Sequence, residues 1–114
     1  MQYEEITTAK QAFGDFAPTL TSLTDDLLYG QIWERPGLSK RDRSLITIAA
    51  LVALYRTDQI AGHMKRGIVN GLTVDEITEA VTHLAFYAGW PNGRVAMETA
   101  KRLFEHNDGD GSVS

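Results

Sequence analysis

The 114-residue sequence contains no cysteine. This removes disulfides, thiolate nucleophiles, thiol redox cycling and cysteine-ligated metals together. Basic residues are few, 11 Lys and Arg against 15 Asp and Glu for a formal charge of -4. The clustered basic face of a nucleic-acid binder is therefore lacking, and nucleic acid is not an expected partner. Long apolar runs are missing too. The longest, "LITIAALVAL" at 45–54, is about half of the roughly 20 residues needed to cross a bilayer, so it reads as a buried helix and no membrane partner is expected. The amino terminus, "MQYEEIT", carries acids where a secretory signal carries basic residues and an apolar run, so the expected location is cytoplasmic. No glycine-rich phosphate loop, GxSxG elbow or nucleotide fingerprint occurs.

What remains is an ordinary globular composition, 43% hydrophobic and 23% charged, in one domain of a size that folds without staples. The pattern is helical, and the fold class is all-α. A weak helix is expected over 5–16, ending near Pro18, and a second over 23–33. Pro36 and Gly37 break the chain, and Ser39 caps a strong helix over about 40–54. The next helix starts at Thr57 or Asp58, carries His63, and stops at Asn70-Gly71, a natural left-handed C-cap. Thr73 and Glu76 form a capping box that opens a helix to about Ala88. Gly89-Trp90-Pro91 ends that helix, and a last one runs over about 92–105. The domain thus occupies 1–105, and the tail 106–114, with nothing to bury, is expected to be disordered. The 45–54 helix is apolar on every side, more than a small domain covers, which predicts self-association.

Three features carry candidate chemistry. In "SKRDRS" at 39–44, Lys40, Arg41 and Arg43 sit in a helix first turn, where the backbone dipole favours acids. Such a broken local rule suits a carboxylate-bearing ligand; pairing with acids on a neighbouring helix is the plainer alternative. Glu76, Glu79, His83 and Tyr87 are spaced by three or four, so they share one helix face with His83 in reach of Glu79. A carboxylate there would raise and orient the imidazole for proton transfer, although a solvated face explains the same spacing. Trp33, Tyr87 and Trp90 lie at helix ends beside Pro and Gly, placed either to wall a pocket for a small planar ligand or to anchor an interface. No HxxxH or ExxH pairing supports a metal site, and none is expected.

"IWERPGLSKRDRSLITIAALVAL", "HMKRGIVNGLT" and "DEITEAVTHLAFYAGWPNGRVAME" together resemble the carboxymuconolactone decarboxylase family. The W-x-R-P-G-L, R-S-L-x-T-I-A, H-x-x-x-x-x-x-N-G and H-x-x-x-Y-A-G-x-P elements stand in order over about residues 28–105, and the resemblance does not extend to the first 25 residues. The family's other branch, the alkylhydroperoxidase D-like proteins, carries C-x-x-C, a histidine four residues later and an upstream glutamate. Here those positions hold Arg56, Gln59, His63 and Ser44, so thiol peroxidase chemistry lacks its nucleophile.

The resemblance implies an alkylhydroperoxidase D-like helical bundle assembled as trimers or hexamers. It further implies cofactor-free loss of CO2 from 4-carboxymuconolactone, giving 3-oxoadipate enol-lactone in the protocatechuate arm of the β-ketoadipate pathway. The small anionic lactone is its own electron sink, because the electrons released with CO2 pass through the adjacent double bond to the lactone carbonyl. The protein then has to donate hydrogen bonds to that oxygen, protonate the ring carbon and hold the remaining acetate arm. Arg43, with Arg41 or Arg35 in reserve, is assigned to the arm, His63 or His83 to the proton, Ser44 and Tyr87 to the oxygen, and Trp33 and Trp90 to excluding water. Glu79 supports His83 in this scheme. Another enzyme on the same scaffold, acting on a different small lactone or acid, and a non-catalytic oligomeric binding protein are the competing readings.

Overall fold

In the computed structural model, which describes residues 8–105, a run of short N-terminal helices precedes four longer ones. The order is α1 (Ala9–Phe13), a 3-10 turn at Gly14–Phe16, α2 (Pro18–Ser22) continuing as a π-helix over Leu23–Ile32, α3 (Lys40–Ala53), α4 (Thr57–Val69), α5 (Val74–Ala88), and α6 (Trp90–Ala100) continuing as a π-helical turn over Lys101–Glu105. None of the described residues lies in a strand. The fold is all-α. The tail expected over 106–114 and the first residues of the helix expected from residue 5 lie outside the described residues.

The core comes from α3 to α6, and its residues follow the four-residue recurrence of a helix face: Ile48 and Val52, Ile60 and Met64, Ile77 and Val81, Ala96 and Ala100. Each larger aliphatic side chain taken from water in this way contributes about 1.5–3 kcal/mol. Leu72 and Phe104 complete the cluster. The helix ends obey local chemistry. Ser39 caps α3 by accepting from the Asp42 amide, and Thr73 caps α5 in the full reciprocal box with Glu76. Gly71, at φ 111°, turns the chain out of α4 in a conformation closed to most side chains. Gly89, at φ 114°, ends α5. α6 begins at Trp90 rather than 92, because Pro91 already has the φ of a helix first turn and no amide to lose there. Tyr55 is left-handed at φ 59° in the turn between α3 and α4. The carbonyls of Val52 and Ala53 beside it accept from the Asn92 side chain at 2.8 and 3.3 Å, which bolts α3 to the first turn of α6.

α5 and α6 touch at Gly93, where an added Cβ would lie 2.7 Å from the Cβ of Ala85 and 3.1 Å from its Cα. Backbone cannot swing aside as a flexible side chain does. Gly93→Ala is therefore expected to destabilise the domain by about 1–3 kcal/mol through overpacking, seen as a lower Tm with helical content retained; an unchanged Tm would show that the contact is slack.

Two of the expected helices take other forms. Of the segment expected over 5–16, the described part is α1 followed by a 3-10 turn, and the one expected over 23–33 is π-helical over Leu23–Ile32 and fused to α2. The surplus apolar surface expected on α3 is present, with Ile46 and Leu54 exposed, and it extends to Phe16, Leu20 and Leu23 in the N-terminal run.

Candidate active site

α4 presents two faces. Ile60, Met64 and Gly67 point into the core, while Gln59, His63 and Arg66, offset by one position, line a cavity of about 520 Å³. The opposite wall comes from the N-terminal run, including Phe13, Thr24, Asp25 and Tyr29. The Tyr29 hydroxyl lies 3.5 Å from Nε2 of His63, long for a hydrogen bond. The Trp33 ring stacks near His63, with centroids 6.3 Å apart and planes 26° from parallel, and Trp33 itself is buried. The Arg66 guanidinium sits 4.0 Å above the centre of the Tyr29 ring and 5.8 Å from that of Trp33. Such a cation–π pair holds the group in place without neutralising it.

Within this cluster, Nδ1 of His63 is buried and has no hydrogen-bond partner. Burial pushes the imidazole below its ordinary pKa, and the charge of Arg66 pushes it the same way. Arg66 makes no ion pair with a carboxylate among the described residues. The cavity thus combines a neutral imidazole, a phenol hydroxyl and a guanidinium held by aromatic rings, with Asp25, Asp58 and Lys65 also in its lining; the imidazole, hydroxyl and guanidinium together suit a small anion and a proton transfer.

His83 lies elsewhere. It is exposed, and with Arg41, Glu76, Glu79 and Leu84 it lines a second cavity of about 450 Å³ between α3 and α5. The expected bond between Glu79 and His83 is not formed. His83 instead stacks on Tyr87 at 4.8 Å, the ring one turn further on, so the apolar contact takes the imidazole away from the carboxylate. Tyr87 and Trp90 are exposed, and Trp90 meets Phe86 edge to face at 5.6 Å rather than either histidine.

The basic first turn of α3 is neutralised locally. Lys40 pairs with Glu34 at 2.7 Å, and Arg41 pairs with Asp42 at 3.0 Å and with Glu76. Glu76 is held below the usual carboxylate range by the Thr73 amide first and by Arg41 second. Pairing with acids, the plainer alternative, accounts for both residues. Arg43 donates from Nη2 to the Arg35 carbonyl at 3.1 Å while its Nε is buried without a partner. Arg35 itself is exposed. Ser44, expected to donate to a substrate oxygen, is sealed from solvent, lines neither cavity, and accepts from the Asn70 side chain at 3.0 Å. It ties α3 to the end of α4. No three His, Asp or Glu side chains among the described residues converge in a way that would hold a metal ion, and no helix among them is long and apolar enough to cross a membrane.

Of the residues picked out in sequence, the structure therefore brings His63 to Trp33, and His83 to Arg41, Glu79 and Tyr87, in two places. Tyr29 and Arg66 were not picked out. The one available signal was that Arg66 stands three residues after His63, and so one helical turn along the same face.

The carboxymuconolactone decarboxylase family model matches residues 18–102, most of the chain. The chain belongs to this family. Among relatives, the 4-carboxymuconolactone decarboxylase of Acinetobacter baylyi is 38% identical over 80% of this chain and 68% of its own length. The nitrosuccinic acid decarboxylase of Metarhizium robertsii is 37% identical over 66% of this chain and 52% of its own length. An uncharacterized 15.0 kDa protein of Paracoccus denitrificans is 24% identical over 86% of this chain and 75% of its own length.

Proposed function

We propose that the chain is a carboxy-lyase that removes CO2 from 4-carboxymuconolactone, or a close carboxylated lactone, to give 3-oxoadipate enol-lactone without a cofactor, as a step of protocatechuate catabolism. Carboxy-lyase activity itself follows from the family and from the two relatives named as decarboxylases. The observation that supports the finer reading is the meeting of His63, Tyr29 and Arg66 around one cavity. In this scheme Arg66 replaces Arg43 as the anchor of the acetate arm, and His63 is the proton donor.

The carbon–carbon bond to the leaving carboxylate breaks, and its electron pair moves through the double bond onto the lactone carbonyl. The Tyr29 hydroxyl donates to the oxygen where that charge develops. The pair returns to the ring carbon next to the lactone carbonyl as His63 delivers its proton there, leaving the new double bond at the carbon that lost CO2; the proton is then replaced from water. The free imidazole is neutral, so it has to gain that proton when the substrate enters; an anion beside an imidazole raises its pKa. The leaving carboxylate is best left without a cation of its own, since a tight pair there would hold the ground state more strongly than the transition state.

The nitrosuccinic acid relative supports a second reading within the same chemistry. A nitro group next to the departing carboxylate accepts the electron pair as a carbonyl does. Purified protein given freshly generated 4-carboxymuconolactone and, separately, 2-nitrosuccinate, each followed by NMR without added metal or cofactor, decides between them. Enol-lactone and CO2 well above the spontaneous rate support the first reading, and turnover of the nitro acid alone supports the second. No acceleration of either would sink both and leave a binding role.

We also propose that the chain assembles as a trimer or hexamer. The support is apolar surface that a single copy leaves in water on α3 and at Phe86 and Trp90. Light scattering is expected to give three or six times the chain mass, and a stable monomer would contradict this.

A further inference from the structure

We propose that α1 is a cover over the His63 cavity, held shut by the carboxylate of Asp25, and that Asp25 is a positioning residue that sets how tightly substrate is enclosed. This inference rests on the reading of that cavity as the decarboxylase site. α1 lies ahead of residues 18–102, which match the family.

The geometry has four parts. Ala9, Ala12 and Phe13 of α1 line the cavity opposite His63 and Arg66, so the helix forms part of its outer wall. α1 is only five residues long and buries one of them, Ala9. A helix that short does not hold itself together in water and has to be fixed from outside. Beside the Thr8–Gln11 capping box, one side chain from outside holds it: Asp25 accepts from the Ala9 amide at 3.1 Å through one carboxylate oxygen and from the Lys10 amide at 3.0 Å through the other. These are charge-assisted bonds to unpaired first-turn donors, the kind that a carboxylate satisfies best. Finally, α1 ends at Gly14, whose φ of +37° only glycine adopts readily and whose surroundings are open, with no atom within 4 Å of the space a Cβ would take. The Thr21 hydroxyl donates to the Gly14 carbonyl at 2.8 Å and pins this pivot to α2. One clasp and one pivot therefore govern the wall that faces the imidazole.

Losing the clasp would let water reach His63. Because burial is the main cause of the depressed imidazole pKa, hydration is expected to raise it. Removing a nearby negative charge would by itself lower it, so the sign of the change separates opening from simple charge loss. Lys65 and Asp58 also line the cavity and are common to both forms.

The test uses the full-length protein and its Asp25→Ala variant. The His63 pKa is read by nitrogen-15 NMR of the imidazole, and KM and kcat are measured with 4-carboxymuconolactone. The cover predicts that the His63 pKa rises toward the ordinary value, with KM up about tenfold and kcat within about twofold, the pattern of lost uniform binding. An unchanged or lowered pKa in the folded variant overturns the proposal, whatever happens to KM. A raised pKa with no turnover even in the parent protein upholds the cover and sinks the decarboxylase reading instead. Should Asp25→Ala fail to fold, Asp25→Asn keeps one acceptor and is expected to shift the pKa by a smaller amount in the same upward direction; no shift there is equally decisive against the cover.

Discussion

His63→Asn is expected to lower kcat for lactone decarboxylation by about 10²- to 10⁴-fold, the range over which a positioned general acid contributes. Asparagine keeps a polar group of similar reach but has no proton to give. The loss should fall on kcat more than on KM, since the imidazole acts at the carbon that gains the proton rather than on the arm that stays bound. His83→Asn serves as the internal comparison and should remain near the parent, because its ring is stacked on Tyr87 and separate from the His63 cavity. Equal losses in the two variants would sink the assignment. The pH dependence adds a second check. If protonated His63 is the donor, activity falls as pH rises through its pKa. In kcat/KM, which reports the free enzyme, this fall should lie below the ordinary imidazole value of 6.5, because burial and Arg66 both lower it. In kcat, which reports the substrate complex, it should lie higher, because the bound carboxylate favours the imidazolium. Coincident profiles would mean that the proton comes from another group.

Arg66→Met is expected to reduce kcat/KM by about a hundredfold, ~2.7 kcal/mol of transition-state binding, carried mainly by a higher KM. Methionine retains much of the stem that packs over Tyr29 and removes the charge that would hold the acetate arm. That arm is bound alike before and after CO2 leaves, so its anchor contributes uniform binding. Arg66→Lys should recover only part of the loss. An ammonium keeps the charge but cannot both stack flat on the phenol ring and meet a carboxylate through two parallel bonds. Removing the guanidinium also relieves one of the two causes that depress His63, so the kcat/KM profile of Arg66→Met should move to higher pH. A variant with parental KM, or a lysine variant equal to the parent, would show that the arm is held elsewhere, with Arg43 the next residue to test.

The scaffold was largely legible in the sequence, for physical reasons that particular residues show. The core pairs recur every four residues along all four long helices, and that recurrence needs no tertiary knowledge. The Thr73 box and the Gly89-Trp90-Pro91 break are local chemistry, decided within a few residues, and they fall where expected. The N-terminal run was less legible. Its π-helical turns follow a wider period than the amphipathic pattern assumes, and its apolar residues stay exposed in the single chain, so they trace no buried face.

The candidate site divided in the same way. His63 was marked by its motif, whereas Arg66 lies in "MKRG", where two adjacent cations read as an ordinary solvated surface. Tyr29 could be placed only by knowing how the N-terminal run folds back on α4. Spacing put Glu79 and His83 in reach of each other, but reach is a condition and not a contact. The ring of Tyr87 offered the imidazole more apolar surface than the carboxylate offered charge in an exposed position.

The two faces of α4 also bear on how such a protein can change over generations. His63 and Arg66 are set one register away from Ile60, Met64 and Gly67, and at Gly67 an added Cβ would come within 2.9 Å of the Leu72 side chain and 3.3 Å of Ile48. The pair to which the proposed scheme assigns the chemistry therefore cannot be tilted or slid to suit a new acid without disturbing the core. The wall opposite is free of that bond, since α1 and the turns after it contribute little to the core. Drift in what the cavity admits is thus channelled into the N-terminal run, which can lengthen, shorten or exchange residues while the reacting groups stay in register. Descendants of one scaffold can in this way part company in diet without parting in chemistry.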